Sequence, residues 1–160
     1  MAARSKDDRS AIAKSAEYIS FRSAVSLNRQ SVRYIRRDYT WKYYDQGPKT
    51  VASPFVFLPP VSGTADVWFR QLMPLSAQGY RCIAVEYPCL DNVQEFCEVL
   101  TRLLDTLNLK RVHLVGASLG AFLAQVYAEH TASSKRVASL VLANGFTDTT
   151  VFKDVPSPMM

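Results

Sequence analysis

Residues 110–131 read KRVHLVGASLGAFLAQVYAEHT, and this stretch decides the fold. Val112 to Val115 is a short apolar run of strand type, and Leu119 to about His130 continues as an apolar helix. Between them stands Gly116-Ala117-Ser118-Leu119-Gly120, a G-x-S-x-G between a strand and a helix, the setting of a nucleophile elbow. A serine lifted on so tight a turn sits in a strained backbone conformation. Side chains two residues to either side would collide with the neighbouring strand and helix, and glycine at 116 and 120 removes those collisions. The helix starts beneath Ser118, so its positive end and the Leu119 amide face any oxyanion formed there. Ser118 is therefore the candidate nucleophile.

Upstream of the elbow, strand and helix patterns alternate. Pro54 to Leu58 is a continuous apolar run, read as a strand buried on both faces and stopped by Pro59 and Pro60. Thr64 to Ala77 has Trp68, Phe69, Leu72, Met73 and Leu75 at helical spacing, with Gly79 as the stop. Tyr80 to Glu86 is the next strand, and Asp91 is placed to cap a helix running to Leu107. Before these, Ser31 to Ile35 and Tyr39 to Asp45 alternate in period two, which predicts a strand pair turning at Arg36-Arg37-Asp38. Gln46-Gly47-Pro48 closes the second strand as a turn. After the elbow helix, Arg136 to Ala143 is the last strand. Strands alternating with helices predict an α/β fold with a mostly parallel sheet covered on both faces. Ligands in such sheets bind beyond the carboxyl ends of the strands, where Ser118 and the Pro59–Thr64 loop both fall.

The chain has 160 residues, 48% hydrophobic and 21% charged, which suits one folded domain with a substantial core. Its longest apolar runs, such as Val137 to Ala143, are far short of a membrane span. Cys82, Cys89 and Cys97 contain no C-x-x-C pair, so a reducing compartment is expected rather than a disulfide framework. The cysteines and the two histidines have no zinc-ligand spacing, and no metal or cofactor is expected. The net charge of +5 is concentrated at the front: residues 1–37 hold nine Lys and Arg against three acids, and the rest ten against eleven. Residues 1–14 read as a flexible basic extension and 15–160 as the folded part. The extension is either a solvated arm or a contact for acidic lipid. Nucleic acid binding is not expected, because the fold itself is slightly acidic. No hydrophobic signal core precedes a cleavage site, and Asp7, Asp8 and Glu17 disfavour an organelle presequence.

LPPVSGTADVWFRQL, GYRCIAVEYP, EFCEVL, KRVHLVGASLGAFLAQ and the FTDTT segment together resemble the maspardin family, a divergent branch of the α/β-hydrolase fold. The resemblance runs from about Ser15 to the end. It implies a cytosolic protein, peripheral on endosomal or trans-Golgi membranes, that binds or regulates a partner in trafficking or signalling. By the same resemblance the partner is a hydrophobic peptide tail or another cytosolic protein. Ser118 matches the elbow serine, and Val61 and Leu119 match the two oxyanion-hole amides. Ordinary α/β-hydrolases carry His-Gly where this chain has Pro59-Pro60, and proline has no N–H to donate. The loop still offers the amides of Val61, Ser62 and Gly63.

A catalytic serine needs a base, and the fold's chain order is Ser, acid, His. Neither histidine follows the elbow in the required place. His113 lies in the strand leading into it, and His130 lies about 18 Å along the helix axis, where it caps carbonyls. Asp148 is the candidate acid, with a turn or cap aspartate as the competing reading. Glu86 ends its strand at the same edge and is placed to orient loop amides. The chain gives about six strands where a full α/β-hydrolase sheet has about eight, so the sequence is expected to be an N-terminal part of such a domain, with one sheet edge unpaired. Two readings stand: a non-catalytic binding protein on a hydrolase scaffold, and an esterase- or lipase-like serine hydrolase using Ser118 with acid and histidine from outside these residues.

Overall fold

The hairpin that opens the sheet pairs Asn28–Tyr34 (β1) with Arg37–Gln46 (β2), in a computed structural model that describes residues 11–150. Tyr34 pairs directly with Arg37, so the turn is Ile35-Arg36, with Ile35 at φ 55°. The turn expected at Arg36–Asp38 is thus one residue late. Starting β2 at Arg37 lets its guanidinium reach the Asp91 carboxylate at 2.9 Å and lie 5.0 Å from the Tyr39 ring centre.

The remaining strands are Phe55–Leu58 (β3), Cys82–Glu86 (β4), Val112–Ala117 (β5) and Val137–Ala143 (β6). The order across the sheet is β1-β2-β4-β3-β5-β6. β2 runs antiparallel to β4, and β4, β3, β5 and β6 run parallel. Among the described residues, the two faces are covered by the helices Ala16–Ala24 (α1), Phe69–Ala77 (α2), Val93–Thr106 (α3) and Leu119–His130 (α4). Alternation along β3 sends Val56 and Leu58 into one core layer, under α3 and α4, and Phe57 into the other, under α1 and α2. The first layer is built on Trp41, Ile83, Leu100, Leu103 and Tyr127, the second on Phe21, Tyr44, Leu72 and Ala84. Each such buried side chain contributes about 1.5–3 kcal/mol relative to exposure.

Residues 11–13, within the start expected to be flexible, are helical, and residues 1–10 lie outside the described residues. Two further features depart from the sequence reading. The helix of residues 16–24 has no counterpart in the sequence reading. It buries only Phe21 and is held by long-range bonds, Tyr18 to Asp66 at 2.5 Å and Arg22 to the Tyr44 hydroxyl at 2.8 Å. The cap of α3 is Asn92, whose side chain accepts from the Glu95 amide at 2.8 Å, while Glu95 reaches back to the Asp91 amide. Asp91 is instead Arg37's partner. No helix among the described residues is long and apolar enough to cross a membrane.

A buried ion pair ties β2 to the start of β4. Arg81 grips Asp45 through both carboxylate oxygens, at 3.1 and 2.9 Å, and Lys49 adds a contact at 2.7 Å. Burial opposes ionisation of Asp45, but the bonds from Arg81 and Lys49 outweigh it and hold its carboxyl below the usual range.

Candidate functional site: the elbow at the carboxyl edge

β5 delivers Ser118 at the carboxyl edge of the sheet, and α4 leaves from the next residue. Ser118 has φ 51° and ψ −114°, outside the regions a non-glycine residue ordinarily populates. The two glycines are forced by contact. A Cβ on residue 116 would fall under 3.0 Å from the Gly120 carbonyl and the Ala121 amide nitrogen. A Cβ on residue 120 would strike the carbonyls of Leu58 and Pro59. The second clash also places the elbow helix hard against the end of β3, beside the proline loop. The strained turn is fastened by the Ser118 amide donating to the Ala143 carbonyl at 2.9 Å, while the Ser118 carbonyl receives the Ala121 and Phe122 amides.

The oxyanion side has fewer donors than the sequence promised. Pro59 and Pro60 supply none, and the Gly63 amide is spent on the Pro60 carbonyl at 2.9 Å in a tight turn with Ser62 at φ 55°. The Val61 and Ser62 amides have no acceptor among the described residues, and Val61 is 68% exposed. Leu119 is the first residue of α4, where helix geometry leaves its amide without an intrahelical acceptor. Tyr87, which belongs to no motif in the sequence, anchors the loop from beneath: its hydroxyl donates to the Pro59 carbonyl at 2.9 Å. Burial pushes the Tyr87 phenol far above its ordinary value, so it remains a donor. The signal was its place directly after β4, two residues beyond Val85.

The histidines and acids weighed around the elbow are engaged elsewhere. His113 Nδ1 lies 2.8 Å from the Ser139 hydroxyl, across to β6 and five residues back along the strand. His130 closes α4 with Nε2 3.6 Å from Glu98. Asp148 is exposed and takes both the amide and the hydroxyl of Thr150, bonds that hold its carboxyl below the usual range. Glu86 receives Lys42 at 2.5 Å rather than orienting the loop amides. Burial raises the thiols of Cys82 and Cys97 to about 11, which keeps both from acting as thiolates near neutrality.

A cleft of about 260 Å³ opens beside the elbow, lined by Tyr87, Leu90, Val93, Phe96, Leu119 and Leu123, with Asp91 and Asn92 at its polar margin. It is apolar and of a size for one bulky side chain or short acyl group. A larger cavity of about 410 Å³ lies at the opposite end of the strands, but its Arg81 and Lys49 are already committed to Asp45.

A sheet ordered 1-2-4-3-5-6 with a serine elbow after its fifth strand defines the α/β-hydrolase class, and the chain belongs to the alpha/beta hydrolase fold family, whose model matches residues 53–158. Within that class it is similar to maspardin. It is 50% identical to the Rattus norvegicus protein over 138 residues, 86% of this chain and 52% of that one. It is 55% identical to the Homo sapiens protein over 112 residues, 70% of this chain and 36% of that one. The chain thus spans about half the length, or less, of these relatives. A solved "probable hydrolytic enzyme" from Pseudomonas aeruginosa superposes with TM-score 0.67 at 24% identity, over 77% of this chain and 42% of that one, a likeness of fold.

Proposed function

We propose that this protein is a binding or regulatory factor on a hydrolase scaffold, and that the elbow cleft holds a partner's apolar group without turning it over. The observation that carries this reading is the engagement of both histidines away from Ser118: His113 is about 15 Å down its strand and bonded to Ser139, and His130 is about 18 Å along the helix. Neither described histidine is placed to act as its base, and a serine hydroxyl without one is a poor nucleophile. The donor-poor proline loop supports the same reading, since Gly63 is consumed in its own turn. The similarity to maspardin supports a cytosolic setting, peripheral contact with endosomal or trans-Golgi membranes, and a role in trafficking or signalling.

One observation favours a second reading, a serine hydrolase of the esterase or lipase kind using Ser118 with acid and histidine from outside these residues. The strained Ser118 and its two obligatory glycines are intact, and such strain is costly to keep where it serves nothing. A fluorophosphonate probe separates the two. The binding reading expects wild type and Ser118→Ala to label equally weakly. Labelling of wild type that vanishes in Ser118→Ala would overturn it.

A further inference from the structure

We propose that the cavity of about 410 Å³ at the amino ends of the strands is a binding site for a phosphate monoester. Arg81 and Lys110 hold its dianion, and its organic part lies against Val51, Leu107 and Leu109. The inference is independent of the elbow and of whether Ser118 reacts. Its starting point is size and composition. At 410 Å³ the cavity falls within the roughly 300–1,000 Å³ of small-molecule pockets, which the elbow cleft at 260 Å³ does not reach. Its lining sets the cations of Lys49, Arg81 and Lys110 among aliphatic side chains, the mixture of few charges and apolar walls that such pockets share.

Asp45 does not use up this charge. It is one carboxylate shared by Arg81 and Lys49, so with Lys110 the cavity keeps a formal excess of two positive charges. A guanidinium has five N–H donors in a planar fork. Arg81 spends Nε and Nη2 on Asp45 at 3.1 and 2.9 Å, and Nη1 reaches the Lys49 carbonyl only at 3.4 Å. The Nη1–Nη2 side therefore keeps donors in the geometry that grips phosphate through two oxygens. The Arg81 side chain is 10% exposed, and in so dry a setting a hydrogen bond to an anion is stronger than in water. Lys110 is exposed and has no hydrogen-bond or ion-pair partner among the described residues.

The wall that carries Lys110 is fixed by its backbone. Asn108, at φ 56°, turns the chain out of α3, and the Leu109 amide closes on the Leu104 carbonyl at 2.8 Å. Arg136 donates to the Leu109 carbonyl at 2.8 Å. The Asn108 and Leu109 amides also satisfy carbonyls of the last turn of α3, whose partial negative charge would otherwise oppose an anion. The excess of two charges selects the ligand class. A phosphate monoester carries about −1.5 to −2 at neutral pH, whereas a carboxylate or a sulfate ester carries a single charge.

The test titrates phenyl phosphate into the nitrogen-15-labelled 160-residue chain at neutral pH, with vesicles containing phosphatidic acid as a parallel arm. Saturable movement of the Val51, Leu107 and Leu109 amide resonances is expected. Lys110→Gln is expected to weaken binding at least about tenfold, the worth of one charge-assisted hydrogen bond, and Lys110→Arg to restore it. Lys110 is exposed and unpartnered, so both variants should melt with the wild type. Phenyl sulfate, of the same shape with one charge, should bind at least about tenfold more weakly than phenyl phosphate. Binding of phenyl phosphate without vesicle binding assigns a soluble ester, and vesicle binding that Lys110→Gln abolishes assigns a lipid headgroup. No saturable movement at millimolar phenyl phosphate together with no vesicle binding would overturn the proposal. So would equal affinity for the sulfate, or binding unchanged in Lys110→Gln.

Discussion

The sheet has two edges, and they are built on opposite rules. β1, Asn-Arg-Gln-Ser-Val-Arg-Tyr, sets Arg29 and Arg33 along its length, and α3 packs against it with Arg102 lying 5.5 Å over the Tyr34 ring. β6 sets no charge anywhere and leaves three aliphatic side chains in the open. A terminal edge can be recognised by what it refuses to bind, and β1 is finished in that sense. β6 has the composition of an interior strand. The elbow stands on the β6 side, one strand in, whereas the densest polar fastening, Asp45 with Arg81 and Lys49, stands on the β1 side.

The largest expected effect breaks the finished side. Asp45→Ala leaves the Arg81 guanidinium buried without its carboxylate and is expected to cost about 3–5 kcal/mol in urea unfolding. The same pair sets an acid limit. The folded carboxyl titrates below its unfolded value of about 3.9, so its contribution is complete above that pH and is lost as pH falls through the lower folded value. Unfolding midpoints measured from pH 6 down to pH 2.5 should drop for wild type below about pH 4 and stay flatter for Asp45→Ala.

A middle-sized effect sharpens the contrast on the other side. Gly120→Ala drives a Cβ into the Leu58 and Pro59 carbonyls and is expected to cost about 1–3 kcal/mol, the range of overpacking. Hydrogen exchange should show the loss concentrated at β3, β5 and α4, with the β1–β2 hairpin amides unchanged. The smallest effect converts one edge into the other. Arg33→Val on β1 should change stability by less than about 0.5 kcal/mol, because its side chain is exposed and its ion pair with Asp38 is 4.0 Å long. Its consequence should appear instead as greater self-association in sedimentation, since it removes a charge that guards the edge.

Much of this was legible in the sequence because the chemistry is local. The elbow needs glycine at 116 and 120 for contacts within a few residues, and the parallel strands announce themselves as uninterrupted apolar runs. What escaped depends on distant partners. α1 has too little amphipathic pattern to be read, and its position comes from Asp66, more than forty residues on. Asn92 outcompeted Asp91 as a cap because Asp91 is drawn off by Arg37 across the hairpin. The Gly63 amide looked available because a sequence does not show a turn closing on Pro60. Tyr87 acquired its role only when the end of β4 met the proline loop.

The single hydrogen bond from the Ser118 amide to the Ala143 carbonyl joins the site to the open edge. Ala143 is the last residue of β6, so the strained serine is fastened to the end of the outermost described strand on its side of the sheet. Whatever shifts the end of β6 therefore shifts the acceptor that fastens the strained turn.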